Sequence, residues 1–309
     1  MKKLSVIIPC YNEEENIEPF YKVISKTLKD IDYELIYVND GSTDQTLPRL
    51  KNIYTKDKNV KIISFSRNFK KDSAIYAGLK NAKASYYAII DSDLQQHPKY
   101  ILEALNFLEN NSNYDQVALV NKYRQEKILN KIVKKIWYKF INFLSDTSFI
   151  ESASDFRVFN DNVAQAILSL PENSRFSKGI FSWVGFNTYP MEYQVLKRLS
   201  GQSKFNLKNN LSYGLEGIIS FSTKPLRIAT YTGIVASIIS FILLIEVLIE
   251  KIFFHTPIAG YPTIMCAILF IGGIQLITVG ILGEYLAKTY YESKKRPAYI
   301  IKEKYGIND

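Results

Sequence analysis

Short apolar runs alternate with stretches of helical spacing over the first part of the chain. Leu4–Pro9, Glu34–Val38, Val60–Phe65 and Tyr86–Ile90 read as strands. Between them, Asn16–Leu28, Thr43–Tyr54 and Asp72–Lys80 carry apolar residues on one helical face. This alternation predicts an α/β domain, a mostly parallel sheet with helices on both faces. The C-terminal part follows another pattern. Ile228 to Ile245 holds no charged residue, apolar character resumes after Glu246 up to Ile249, and Ile258 to Leu282 is again uncharged. About 20 apolar residues span a hydrocarbon core of about 30 Å. The two runs therefore predict a transmembrane hairpin, with helices at about 228–249 and 260–284. Lys224 and Arg227 precede it, and Lys288, Lys294, Lys295 and Arg296 follow. The positive-inside rule places both flanks in the cytoplasm.

Two further segments are amphipathic. Between Lys127 and Phe143, four lysines (Lys131, Lys134, Lys135, Lys139) mix with Ile132, Val133, Ile136, Trp137, Phe140 and Phe143. Basic residues among aromatics fit nucleic acid, a core-packed helix with solvated lysines, or an interfacial helix on anionic lipid. The two downstream spans favour the last. Leu207–Phe221 reads as a second interfacial helix. The expected organisation is a cytoplasmic domain over 1–205, a juxtamembrane amphipathic helix over 206–227, two transmembrane helices within 228–287, and a cytoplasmic tail over 288–309.

Composition narrows the partners. The 309 residues are 47% hydrophobic and 22% charged, which excludes a disordered chain. The 39 Lys and Arg exceed 30 Asp and Glu, a formal charge of +9 that suits an anionic partner. With a membrane hairpin present, a phosphorylated ligand and a lipid bilayer fit that charge, and no nucleic acid is expected. Cys10 and Cys266 are too few and too far apart for a disulfide framework or a thiolate metal site. The N-terminal apolar run ends at Asn12 and Glu13–Glu15, too short for a secretory leader.

The polar clusters fall where the predicted strands end: Tyr11–Glu15, Asn39–Asp44, Ser66–Asn68 and Asp91–Gln95. Ligands of parallel α/β sheets bind at those carboxyl ends. Asp91-Ser92-Asp93 follows the fourth strand, and two carboxylates so placed, with Gln95, offer oxygen ligands to Mg²⁺ or Mn²⁺. A cation there would neutralise charge growing on a nucleotide-diphosphate leaving group. In Asn39-Asp40-Gly41-Ser42-Thr43-Asp44, Gly41 permits a tight turn, Thr43 or Asp44 can cap a helix, and Asp40 is free to accept from a base N–H. Neither G-x-G-x-x-G nor a Walker lysine motif is present, which argues against dinucleotide binding and ATP hydrolysis.

These residues carry a resemblance. Leu4–Glu13, Asn39–Asp44, Asp91–Gln95, Ser66-Arg67-Asn68-Phe69, Ser154–Arg157, Arg175–Gly179, Arg198–Phe205 and the final pair of spans together resemble glycosyltransferase family 2 with its GT-A fold. The pattern is similar to polyprenyl-phosphate hexosyltransferases of the bactoprenol glucosyltransferase kind, and more distantly to dolichyl-phosphate mannose synthases. The resemblance implies that Pro9, Tyr11, Glu13, Asp40, Asp91 and Ser92 hold the nucleotide, and that Asp91, Asp93 and Gln95 hold the metal. It implies that Asp155 and Arg157, with Asp93, form the catalytic set facing sugar and acceptor. Arg124, Arg175, Arg198, Ser203 and Lys204 would serve the phosphates, including the lipid phosphate. Relatives of this kind also imply a homo-oligomer, with a tetramer as one candidate. The sequence departs from the family at Lys70-Lys71-Asp72, where Gly-Lys-Glu is usual, and at Gln96-His97-Pro98, where Asp-Pro-Pro is usual. His97 reads as a surface residue at a helix start.

The expected reaction is an inverting, metal-dependent transfer of a hexose, glucose from UDP-glucose, to undecaprenyl phosphate at the cytoplasmic face of the cell membrane. The lipid-linked sugar would serve surface polysaccharide modification. Alternatives are the same reaction with GDP-mannose, UDP-N-acetylglucosamine or UDP-aminoarabinose, or an inactive membrane-tethered protein that binds nucleotide sugar or lipid.

Overall fold

A computed structural model describes residues 2–121, 153–173, 175–194, 219–249 and 260–307. The basic segment 127–143 and most of the expected juxtamembrane helix lie outside the described residues. In chain order the elements are β1 (Lys2–Cys10), α1 (Glu14–Leu28), β2 (Tyr33–Asn39), α2 (Thr46–Tyr54), β3 (Val60–Phe65), α3 (Lys71–Lys80), β4 (Ala84–Ile89) and α4 (Lys99–Asn110). There follow β5 (Gln116–Asn121), β6 (Ala153–Asn160), α5 (Asp161–Ser169), α6 (Ser177–Trp183), β7 (Thr188–Tyr193), α7 (Lys224–Ile249), α8 (Tyr261–Ser293) and β8 (Ile301–Tyr305).

The eight strands form one sheet in the order β7-β5-β6-β4-β1-β2-β3-β8. Strands β1 to β4 are parallel, as the alternating pattern predicts. Beyond β4 the sheet is mixed: β6 runs antiparallel to both β4 and β5, while β7 is parallel to β5. Every residue of β2 is buried, the signature of a parallel strand covered on both faces. On one face Leu4, Val6, Ile8, Leu35 and Tyr37 pack against Ile17, Phe20 and Ile24 of α1 and Ile101 and Leu108 of α4. On the other, Ile7, Ile36, Val38 and Ile63 meet Ala74 and Ala77 of α3 and Val163 and Ile167 of α5. Gly78 lets α3 approach β1, since a Cβ there would lie 2.4 Å from Ile7 Cγ2.

Two boundaries differ from expectation. The segment 288–309 is more than a tail, because β8 extends the sheet by pairing antiparallel with β3. The edge of β3 has unpaired backbone groups that a strand arriving from α8 satisfies. Helix α8 also continues to Ser293, past the predicted end of the second span. Within α7 and α8, Lys224–Leu243 and Ala267–Ser293 have mean hydropathies of 1.8 and 1.9 and are long enough to cross a membrane. Phe241 and Leu276 are 63% and 76% exposed on these helices, apolar surface that water would not leave uncovered. The chain is built for membrane association.

Replacing Gly78 by Ala should cost about 1–3 kcal/mol through overpacking. It should lower the thermal unfolding temperature of detergent-solubilised protein while leaving the hairpin's helical circular dichroism unchanged.

Candidate active site

The parallel strands β1 to β4 end at one level, and the loops that follow are zipped together by polar contacts. The first and second loops interlock: the Asn12 N–H donates to Ser42 Oγ (3.0 Å), the Thr43 N–H to Asn12 Oδ1 (2.9 Å) and the Glu13 N–H to Thr46 Oγ1 (2.9 Å). Asp44 accepts from the Thr46 and Glu14 N–H groups, which hold its carboxyl below the usual range against the opposing effect of burial. The second loop is joined to the third by Asp40, whose Oδ1 accepts from the Phe69 N–H at 2.6 Å. Gly41 must be glycine here: φ is +66°, and a Cβ would lie 2.3 Å from the backbone of Arg67. Asp40 is 3% exposed, and burial pushes its carboxyl up to about 6 despite the hydrogen bonds from Phe69 and Lys70.

The fourth loop carries Asp91, Ser92 and Asp93. The β4–β6 register pairs Ile89 with Arg157 and so carries Asp155 to the level of Asp91. Between the two carboxylates sits the ammonium of Lys71, from the first turn of α3, 2.7 Å from Asp91 Oδ1 and 2.7 Å from Asp155 Oδ2. Lys178 of α6 lies 3.9 Å from the other Asp155 oxygen. Burial opposes charge on Asp155, but Lys71, Lys178 and Arg157 outweigh it and hold the carboxyl well below the usual range. Burial shifts Asp91 the other way, upwards, with Lys71 opposing. Asp93 is 7% exposed and its Oδ1 accepts from the Gln95 N–H at 3.1 Å, closing a turn in which Leu94 has φ +56°. Four described non-glycine residues have positive φ, and three of them, Asn12, Lys70 and Leu94, lie in these strand-end loops. Backbone strain of this kind gathers where function fixes the loop shape.

Oxygen donors and one bound ammonium at Asp91 describe a place where cations are held. Among the described residues no three His, Cys, Asp or Glu side chains form a ready metal cluster. Asp91, Asp93 and the Gln95 amide carry the kind of oxygen donors that a hard divalent cation takes when it shares further oxygens with a ligand.

The sequence profile of Glycosyl transferase family 2 matches residues 5–168, and that of the GtrB C-terminal hairpin matches residues 224–289. The chain belongs to glycosyltransferase family 2. Relatives extend over nearly its whole length. A prophage bactoprenol glucosyl transferase homolog of Escherichia coli (strain K12) is 39% identical, covering 97% of this chain and 98% of its own. The bactoprenol glucosyl transferase of Shigella phage SfV matches to the same extent. Among solved structures, glucosyl-3-phosphoglycerate synthase of Mycobacterium tuberculosis, crystallised with Mn²⁺, UDP and glucosyl-3-phosphoglycerate, superposes with a TM-score of 0.53 at 20% identity, over 71% of this chain and 78% of that one. That likeness concerns the fold, which is GT-A-like, as the family resemblance implied.

In this glycosyltransferase the strand ends bring together Pro9, Tyr11, Glu13, Asp40, Asp91, Ser92, Asp93, Gln95 and Asp155. Tyr11 stands at the rim, 37% exposed, and Glu13 accepts from Asn16 Nδ2 at the start of α1. Two arginines differ from expectation. Arg157 is 3% exposed, lies 4.7 Å over the Phe181 ring and donates to Gln116 Oε1, and its charge helps keep Asp155 ionised. Burial lowers its pKa to about 10. Arg175 spends its guanidinium on the carbonyls of Ile167, Leu170 and Glu172 and on the Tyr76 ring, 3.9 Å away. It ties off the end of α5 instead of facing the acidic cluster. Arg124, Arg198, Ser203 and Lys204 lie outside the described residues. His97 accepts from the Lys99 N–H at the start of α4, the surface role expected of it.

Lys71 and Lys178 are the site residues that sequence reasoning missed. Within Lys70-Lys71-Asp72, Lys71 is the position that keeps the residue the family resemblance implies, and as the first residue of the helix after the third parallel strand it reaches the same strand-end cluster. Its removal leaves Asp91 and Asp155 facing each other. Because about a third of each side chain is still wet, Lys71→Met should cost about 1–2 kcal/mol rather than the 3–5 of a dry pair. Asp155 is the depressed carboxyl, so the deficit should be full above its ordinary pKa of about 4 and vanish as pH falls through the folded value. Chemical denaturation at pH 7 and pH 3 measures it.

Proposed function

We propose that this glycosyltransferase moves glucose from UDP-glucose to a polyprenyl phosphate, undecaprenyl phosphate first among them, at the cytoplasmic face of the membrane. The observation that carries the proposal is the joining of a strand-end acidic site to a chain that continues into two apolar helices. The acceptor is supported by the bactoprenol glucosyl transferase relatives, and the donor by these and by the UDP-bearing structural neighbour. In this reading both helices cross the bilayer with their outer flanks inside, and the protein works as a homo-oligomer.

Asp40, buried beneath the Phe69 N–H, accepts from a base N–H, and Pro9 and Tyr11 frame the nucleoside. Asp91, Asp93 and Gln95 hold Mg²⁺ or Mn²⁺, which when bound supplies charge stabilisation for the diphosphate leaving group. The acceptor phosphate has a second pKa of about 6 and is largely a dianion at pH 7. It needs little help from a general base, and Asp155 is a poor one, being clamped by two ammonium groups. Asp155 instead orients a sugar hydroxyl and keeps Lys71 and Lys178 converged. Those two lysines, with Arg198 and Lys204, offset repulsion between the lipid phosphate and the donor diphosphate. Attack opposite the leaving group inverts the anomeric centre.

The direct test mixes detergent-solubilised protein, undecaprenyl phosphate, Mg²⁺ or Mn²⁺ and a panel of labelled nucleotide sugars. Label should enter the lipid extract from UDP-glucose and not with Asp93→Ala. Transfer from a different sugar nucleotide would redirect the donor assignment. Nucleotide binding without any transfer would favour a binding protein.

Asp155→Asn should lower kcat about 10–100-fold with little change across pH 6–9. A fall of 10³ or more that grows with pH, with donor binding intact, would make Asp155 a base. UDP-glucose affinity should rise as pH increases through about 6, where Asp40 becomes ionised, and Asp40→Asn should abolish that rise.

A further inference from the structure

We propose that Tyr299, which follows the second apolar helix, is a positioning residue for the nucleotide-binding turn. The inference rests on the donor-site reading above and extends it to a part of the chain expected to be a tail. Phe65, at the end of β3, stands between Tyr299 and the site. Its ring stacks on Tyr299 with centroids 5.0 Å apart and planes 13° apart, and meets Phe69 edge-on at 5.8 Å. Phe69 is the residue whose N–H holds Asp40 at 2.6 Å, and Arg67 lies 4.0 Å over its ring. Tyr299 also meets Tyr76 of α3 edge-on at 6.2 Å, on the helix whose first residue is Lys71. One aromatic ring thus backs both the loop that fixes Asp40 and the helix that presents Lys71.

The ring is held in place by the edge strand. The Ser66 N–H donates to the Ile300 carbonyl at 3.0 Å, β8 pairs with β3 from Phe65 back to Ile62, and Lys51 pairs with Glu303 at 2.8 Å. Five residues, Lys294 to Ala298, separate Tyr299 from the end of α8. The last turns of α8 are themselves fastened, to the segment that leads into α7 and, through Glu292, to the domain. Tyr285 donates to the Ser222 carbonyl at 2.7 Å, Lys288 donates to Ser220 Oγ, and Glu292 accepts from the Asn173 N–H at 3.1 Å. The exit of the hairpin is therefore linked to the base-recognition turn by a short, braced path. Stacking needs the ring and not the hydroxyl, which separates the effect of Tyr299→Ala from that of Tyr299→Phe.

The experiment uses the full chain in detergent as wild type and as two variants, Tyr299→Ala and Tyr299→Phe. Calorimetric Kd for UDP, KM for each substrate, kcat and amide exchange at Phe69 are measured on each. For Tyr299→Ala, UDP affinity should weaken about five- to tenfold and donor KM should rise in parallel. Acceptor KM and kcat at saturating donor should stay within about twofold of wild type. Exchange at the Phe69 amide should accelerate while the β1 amides remain protected, and Tyr299→Phe should restore wild-type values. Unchanged UDP affinity and unchanged Phe69 exchange in Tyr299→Ala would overturn the proposal. So would a Phe variant as impaired as Ala, or loss of β1 protection together with Phe69, which would mean general unfolding. If wild type binds no nucleotide, the donor-site reading fails, and Phe69 exchange alone decides whether Tyr299 controls the turn.

Discussion

Like charges crowd the carboxyl end of this sheet, and the ammonium of Lys71 is what lets them do so. Asp91 on the β4 side and Asp155 on β6 lie at one level, each 2.7 Å from the same nitrogen. At an effective dielectric constant of about 20, two carboxylates so spaced repel by about 3 kcal/mol before solvent screening. Much else follows from resolving that conflict. Helix α3 must begin where its first residue reaches the gap, so the loop before it is forced through Lys70 at φ +74°. The family resemblance implies glycine at that position, a residue that tolerates such a conformation at no steric cost. The strain is absorbed by anchoring the same loop to Asp40 through the Phe69 N–H.

The fold was legible where hydrophobicity alone decides it. The run Val60–Phe65 is β3 to the residue, and α1 and α2 keep their predicted C-terminal ends at Leu28 and Tyr54. Short apolar strands between amphipathic helices admit few other arrangements. The edge strand β8 escaped because Ile301–Tyr305 holds three charged residues in a row, Lys302-Glu303-Lys304, with no apolar alternation to mark a strand, and its partner lies far away in sequence. Of the candidate site, the placement of the acidic motifs was legible, because Asn39–Asp44 and Asp91–Gln95 directly follow apolar runs that form β2 and β4. The arginines were not. A buried guanidinium satisfies backbone carbonyls as readily as phosphates, and only the fold shows that Arg175 does the former and that Arg157 is buried against Phe181 and Gln116.

The apolar helices α7 and α8 and the glycosyltransferase domain are continuous with one another. The chain leaves the domain near Phe221, whose ring fills the space left by the missing side chain of Gly179, and returns through α8 to add β8 to the sheet. Departure and return are both pinned to the domain, so the apolar helices cannot swing freely beneath the site. Under the proposed function, a lipid-borne acceptor would benefit from that arrangement, because a site held at fixed height above a bilayer meets a headgroup confined to two dimensions.

If the strand-end cluster is where nucleotide and metal meet, a crystal structure with UDP and Mn²⁺ will show it through the anomalous signal of manganese. The expected result is a manganese peak at the carboxylates of Asp91 and Asp93, with the uracil against Asp40. A nucleotide seated elsewhere, for instance in the groove of α4 and β7 lined by Phe107, Tyr189 and Met191, with no manganese at Asp91 or Asp93, would contradict it.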